Sequence, residues 1–220
     1  MTARHVAFLD LDGTILDSSP GIVMGLRKAF DAVGMPAPDE AVMRSWIGPP
    51  VLRTLERELG DRGGPVVEAA NRAFRAYFDE IGTYQSAPFA GIPDALAALA
   101  ADGTAIVVVT HKPGPLAEAA LARSGLSRFV VGVHAPVSAA ELVPKEDLFA
   151  RAIRKARPAT AIAAGDRAGD VEAAAAHGIR SIGVLWGYGT PAELTGAGAV
   201  ALAPAPSDLP FLLAPGGTLG

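Results

Sequence analysis

Val6-Ala7-Phe8-Leu9-Asp10-Leu11-Asp12-Gly13-Thr14 is the stretch on which the reading of this chain turns. Four successive apolar residues, bounded by a polar run, describe a buried strand that ends in a loop. The same pattern recurs twice. Ala105-Ile106-Val107-Val108-Val109 runs into Thr110-His111-Lys112, and Ala161-Ile162-Ala163-Ala164 runs into Gly165-Asp166. Residues 181–185 read as another strand and residues 199–203 as a last short one. Alanine-rich helical patterns lie between them, over residues 93–101, 115–123, 146–157 and 170–177. Apolar strands alternating with helices predict an α/β fold: a doubly wound, Rossmann-like parallel sheet covered on both faces.

One segment breaks the alternation. Residues 17–87 carry helical patterns at 22–33, 39–46, 51–59 and 65–81 and no convincing strand. Gly48-Pro49-Pro50 and residues 60–65 punctuate them. The chain therefore reads as a core of residues 1–16 and 88–220 with an all-helical insert of residues 17–87. The tail after Pro204 is rich in Pro and Gly and is expected to be loosely held. No internal repeat is visible.

Composition narrows the function. Of the 220 residues, 50% are hydrophobic and 19% charged, the balance of a folded globular protein rather than a disordered one. The mean hydropathy of +0.31 comes mainly from alanine, and no stretch approaches the ~20 apolar residues of a spanning helix. Asp10 and Asp12 interrupt the N-terminal apolar run, so no signal peptide is expected and the location is read as cytoplasmic. The net charge of -4, without a basic block, argues against nucleic acid as a partner. The absence of cysteine excludes disulfides, thiolate catalysis and Cys-based zinc sites. No obligate protein partner is implied.

In an open parallel sheet, ligands bind outside the carboxyl ends of the strands. Asp10, Asp12, Thr110, Asp166 and Asp170 all fall at such ends and are expected to converge, with Lys145 opening a helix nearby. Four carboxylates in one crevice repel and raise one another's pKa. A divalent cation and a lysine relieve that repulsion, and Mg2+ suits an oxygen-only site that keeps positions open for a phosphoryl oxygen. Asp10 and Asp12, two apart, share a face in extended backbone. One can attack phosphorus while the other reaches the leaving oxygen, splitting hydrolysis into transfer to the enzyme and attack by water. Gly13 permits a sharp turn and Thr14 offers a hydroxyl. Thr110 and nearby N–H groups can bind phosphoryl oxygens, with Lys145 adding positive charge. Lys112 is the rival lysine, placed second because it lies so close to Thr110.

Residues 8–14 resemble the first motif of the haloacid dehalogenase-like hydrolase superfamily. Residues 107–112 resemble its second motif, Lys145 its third, and Gly165-Asp166-Arg167-Ala168-Gly169-Asp170 its fourth. The order and spacing match over nearly the whole chain, and the helical insert resembles the cap common in that superfamily. The resemblance implies Asp10 as nucleophile and Asp12 as acid/base. It implies Mg2+ on the Asp10 side chain, the Asp12 backbone carbonyl and Asp166, with Asp170 mostly through water. Ile47-Gly48-Pro49-Pro50, Thr110-His111-Lys112-Pro113 and residues 181–189 are similar to the phosphoglycolate phosphatase-like branch, and within it to members described as 5'-nucleotidase-like. Two departures stand out: His111 occupies a position where Ser or Asn is usual, and Glu146 follows Lys145 where Pro is frequent.

Plainer roles stand beside these. Asp166 and Asp170 can cap a helix start, and Asp17 and Ser18 are expected to cap the first helix of the insert. Arg44 and Arg53 flank the Gly-Pro-Pro turn as candidates for a substrate carboxylate or second phosphate, or as solvated surface arginines. His111 reads as a loop residue that can still contribute an N–H to substrate. Trp46 and Trp186 read as packing residues, and His5, His134 and His177 as non-functional. The function expected is hydrolysis of a small-metabolite phosphomonoester. The alternatives are a nucleoside monophosphate phosphatase, a phosphomutase and a catalytically silent binding module.

Overall fold

In the computed structural model, which describes residues 5–216, the N-terminal apolar run is strand β1 (His5–Leu9). The chain continues through β2 (Leu16–Asp17), α1 (Ser19–Ala32), α2 (Glu40–Ser45), α3 (Val51–Leu59), α4 (Gly64–Glu80) and β3 (Ala87–Pro88). Then come α5 (Ile92–Ala101), β4 (Ala105–Val109), α6 (Gly114–Arg123), β5 (Val130–His134), α7 (Lys145–Ala156) and β6 (Thr160–Gly165). The last elements are α8 (Ala168–Ala175), β7 (Arg180–Val184), α9 (Pro191–Gly196), β8 (Ala201–Ala203) and α10 (Leu209–Leu212). Six strands form one sheet in the order β5-β4-β1-β6-β7-β8, every pairing parallel. The chain runs from β1 outward to β5, then crosses back to β6 on the other side of β1. That reversal is the topological switch point at which such sheets open a crevice.

Strand period two sorts the core into two faces. Ala7 and Leu9 of β1 join Ile92 and Leu96 of α5 and Leu121 of α6 in one apolar cluster. Val6 and Phe8 point the other way, among Leu148 and Phe149 of α7 and Ala173 of α8. Since both faces are covered, β1 and β4 read as unbroken apolar runs rather than alternating ones.

The described chain divides into two compact units, one running up to Leu16 and resuming at Pro88, the other Asp17–Ala87. β2 and β3 form a two-stranded sheet where the chain passes between them. Within the helical unit, α1 and α4 approach closely because α1 carries Gly25 at the contact. A Cβ on Gly25 would stand 2.8 Å from the Phe74 ring. Phe74 stacks on Phe78 at 5.3 Å between centroids, and Trp46 stacks on Phe30 at 6.2 Å. Asp17 Oδ1 accepts from the Ser19 N–H at 3.0 Å, whereas Ser18, expected to share this duty, makes no side-chain cap bond.

Several elements depart from the pattern reading. β5 is not announced in the sequence: Gly132 interrupts it, and at the sheet edge it is half-buried rather than apolar throughout. α9 is likewise unannounced. The tail after Pro204 is not loose as far as the described residues go. Leu209 and Leu213 are fully buried, and the His5 ring donates from Nε2 to the Leu213 carbonyl at 2.8 Å. A 3-10 turn at Pro206–Asp208 and the short helix α10 carry Leu209 into the core, with Leu213 just beyond. Among the described residues, no helix is long and apolar enough to cross a membrane.

Phe8 is fully buried on the central strand and meets Phe149 edge-to-face at 5.7 Å. Replacing it with alanine deletes the ring and leaves a cavity between sheet and α7. The F8A protein is expected to lose about 3–5 kcal/mol of unfolding free energy in a urea titration; a loss under about 1 kcal/mol contradicts this packing.

Candidate active site

β1 ends at Leu9, and the next residue extends the ladder once more: the Asp10 N–H donates to the Ala164 carbonyl at 3.0 Å. The chain then turns back at once, with Leu16 donating its N–H to the Leu11 carbonyl and accepting from the Gly13 N–H, each at 2.8 Å. Gly13 makes this turn possible for two reasons. Its φ is +92°, and a Cβ there would lie 2.2 Å from Asp166 Oδ2. The first strand's loop thus lies directly against the carboxylate at the end of β6.

Asp166 is held from several sides. Thr14 Oγ1 donates to its Oδ1 at 3.3 Å and the Tyr188 N–H to its Oδ2 at 2.8 Å. Gly187 and Gly189 let the loop after β7 fold over it, since a Cβ on Gly189 would sit 1.9 Å from the Asp166 carbonyl oxygen. Asp170, in the first turn of α8, serves two masters. One oxygen accepts the Arg167 N–H at 3.0 Å, capping the helix, and the other accepts from Lys145 Nζ at 2.6 Å. Lys145 is the first residue of α7 and also reaches Asp10 Oδ1 at 2.5 Å.

Asp10, Asp166 and Asp170 are therefore one group. All three are buried, and each offers an oxygen within 4.8 Å of the others. Lys145 pairs with two of them, Asp10 and Asp170. The strain shows in their proton affinities. Burial pushes Asp10 up to about 7, with the neighbouring charges of Asp170 and Asp12 adding to the shift and Lys145 opposing it. Burial likewise holds Asp166 well above the usual carboxylate range, reinforced by Asp170 and Asp10 and opposed by the Tyr188 N–H and Arg167. For Lys145, burial alone favours the neutral amine, but Asp10 and Asp170 outweigh it and raise the ammonium pKa above its ordinary value. A hard divalent cation fits this group: the donors are all oxygen, they are preassembled, and they carry the charge it needs.

Asp12 behaves differently. Its carboxylate is outside that group and takes both oxygens to Lys112 Nζ, at 2.9 and 3.2 Å. Lys112, the rival lysine in the sequence, pairs with Asp12, while Lys145 pairs with Asp10 and Asp170. Thr110 is buried at the end of β4, and its Oγ1 accepts the Lys112 N–H at 3.1 Å. That leaves the hydroxyl proton for another acceptor. His111, between them, is half-buried. Arg44 and Arg53 belong to the helical unit, where Arg44 donates to Ser19 Oγ and the exposed Arg53 pairs with Glu56 at 3.0 Å.

Two supports escape the sequence reading. Trp186 donates its indole N–H to the Thr14 carbonyl at 2.9 Å, bracing the Gly13 turn. Glu193, in the first turn of α9, accepts from Arg167 Nε and from the Ala168 N–H, both at 2.9 Å, and so fixes the start of α8. No local signal marks either contact; Glu193 reads as an ordinary first-turn acid.

The family model of the haloacid dehalogenase-like hydrolases matches residues 7–184. Over 187 residues the chain is 35% identical to the tyrosine-protein kinase PtkA of Mycobacterium tuberculosis, covering 84% of this chain and 63% of that protein's length. It is 34% identical over 213 residues to a phosphoglycolate phosphatase of Cupriavidus necator, covering 94% and 92% of the two chains. It is 32% identical over 191 residues to a 5'-nucleotidase of Pseudomonas aeruginosa, covering 84% of each. Among solved structures, a haloacid dehalogenase-like family protein from Streptococcus pneumoniae superposes with a TM-score of 0.86 at 28% identity, covering 95% of this chain and 98% of that one.

The carboxylate group makes a stability prediction with a definite sign. Asp10 and Asp166 bind protons more tightly folded than unfolded, so the stability they allow at low pH is lost as pH rises from about 4 towards and through about 7. A divalent cation binds the ionised set and restores that loss. Saturating Mg2+ is expected to raise the melting temperature by roughly 5–10 °C at pH 8 and by much less at pH 5, measured by calorimetry. Equal shifts at both pH values, or none, contradict a metal on these carboxylates.

Proposed function

The chain belongs to the haloacid dehalogenase-like hydrolases, and from that premise we propose that it is a Mg2+-dependent phosphatase acting on a small phosphorylated metabolite. What carries the reading is the meeting of three buried carboxylates with one lysine at the carboxyl ends of β1 and β6. Asp10 is the nucleophile. Its carboxylate oxygen bonds to phosphorus as the bond from phosphorus to the leaving oxygen breaks, and Asp12 gives that oxygen its proton. Asp12, now ionised, takes a proton from water; the water oxygen bonds to phosphorus and releases the Asp10 carboxylate. Lys145, Thr110 and the N–H groups of the loop around His111 face the phosphoryl oxygens and offset their charge. Gly13 and Thr14 shape the same pocket from the first loop. Asp10, Asp166 and the Asp12 backbone carbonyl would hold Mg2+, with Asp170 mostly through water, and the ion would supply further positive charge against the phosphoryl group.

Substrate choice is assigned to the helical insert, residues 17–87, as a cap, with Arg44 and Arg53 as its candidate anion contacts. A phosphoglycolate-like substrate is the first choice, supported by a relative that aligns over 94% of this chain. A nucleoside 5'-monophosphate is the second, supported by the 5'-nucleotidase relative. The protein is placed in the cytoplasm, without nucleic acid, membrane or an obligate protein partner. A transferase reading rests on the relative named as a tyrosine-protein kinase, of whose length the chain spans 63%. It predicts phosphate incorporation into protein tyrosine from labelled ATP.

The test is phosphate release from p-nitrophenyl phosphate and from a panel containing 2-phosphoglycolate and nucleoside 5'-monophosphates, with and without Mg2+. Activity is expected only with the metal, and D10N is expected to lose on the order of 10^3-fold or more in kcat. Turnover that survives in D10N, or that ignores chelation by EDTA, sinks the proposal.

A further inference from the structure

Lys112 is a buried lysine that the mechanism above does not use. Its side chain is 2% exposed, while Asp12, its partner, is 15% exposed and is the most open of the site's four aspartates. The ammonium lies 2.9 Å from Asp12 Oδ1 and 3.2 Å from Oδ2, spanning the carboxylate rather than touching one corner. The backbone under it is fixed as well. Lys112 N–H donates to Thr110 Oγ1 at 3.1 Å, and Pro113 follows as the residue before α6, so the lysine leaves the end of β4 in one direction. A side chain this flexible loses much rotamer freedom when it is held at full burial. Asp12 itself sits in a loop after β1, its backbone bridged to Leu16. Lys145, by contrast, reaches Asp10 and Asp170.

We infer that Lys112 is a positioning residue for Asp12: it fixes the plane of that carboxyl group and compensates the negative charge that appears when the proton passes to the leaving oxygen. This rests on the phosphatase reading and deepens it. The two lysines then divide the reaction between them, Lys145 serving the nucleophile and Lys112 the acid. The consequence is specific to the step in which the leaving group departs. A poor leaving group needs its proton early, and a good one hardly needs it. Removing Lys112 must therefore cost more as the leaving group worsens, whereas loss of a merely structural ion pair costs all substrates alike.

The experiment compares kcat/KM for p-nitrophenyl phosphate and phenyl phosphate, two aryl esters of similar shape, in the wild type and in K112M, K112R, D12N and D12N/K112M. D12N is expected to discriminate most, in the range of 10^2–10^4-fold typical of general acid catalysis. K112M is expected to lose on the order of tenfold or more on phenyl phosphate beyond its loss on p-nitrophenyl phosphate. K112R, which keeps a cation facing both oxygens, is expected to recover most of the difference. Adding K112M to D12N is expected to cost no more than D12N alone, because the lysine acts through the aspartate. K112Q carries the same comparison if K112M does not fold. Equal losses on both substrates, or a further drop in the double variant, overturn the inference while leaving the phosphatase reading intact. Activity that survives in D10N, or a D12N protein without leaving-group discrimination, overturns the parent reading and this one with it.

Discussion

Lys145 stands between Asp10 and Asp170, 2.5 and 2.6 Å from their oxygens, with Asp166 completing a buried cluster. Three carboxylates removed from water against one ammonium is an arrangement a fold does not adopt for stability. Each unpaired buried charge costs several kcal/mol even after relaxation, and the upward shift of Asp10 and Asp166 registers that cost as proton affinity. A core of alanine, valine and leucine on both sides of the sheet offsets it. What the protein gains is a place where positive charge and a phosphoryl group are both welcome.

The surroundings follow from that requirement. The carboxylates come from the ends of β1 and β6, which are neighbours in the sheet, and from the first turn of the helix after β6. Bringing them together leaves little room between loops, and glycines occupy the points of contact. Gly13 and Gly189 are within what would be a Cβ clash of Asp166, and Gly165 likewise lies against Asp170. The loops are then tied by groups that do no chemistry of their own. Trp186 holds the Thr14 carbonyl, and Glu193 holds Arg167 and Ala168. Such supporting contacts keep a site to within the fraction of an ångström that catalysis needs.

Asp12 is set apart from this cluster by its own lysine and by greater exposure. Two carboxylates only two residues apart thus have different electrostatic surroundings, which is the usual way a site separates a nucleophile from a proton carrier. Extended backbone brings Asp10 and Asp12 near each other but does not by itself separate their surroundings. The turn at Gly13 intervenes, and the partner that distinguishes them is Lys112, one hundred positions along the chain.

The sequence by itself determined the parallel sheet apart from β5, its covering helices apart from α9, the helical nature of the insert, and the aspartates that follow β1 and β6, with Asp170 one turn further on in α8. These rest on short-range rules: apolar runs, helical period, and polar residues where a run stops. β5 was hidden because its edge position relaxes the apolar pattern, and the seating of Leu209 and Leu213 was hidden because Pro and Gly around them signal a loop. Which lysine serves which carboxylate, why Gly13 and Gly189 admit no side chain, and what Trp186 and Glu193 hold were decided only by the tertiary structure. Those are distances between residues far apart in the chain, and no local pattern encodes a distance that only the packing of β1 beside β6 creates.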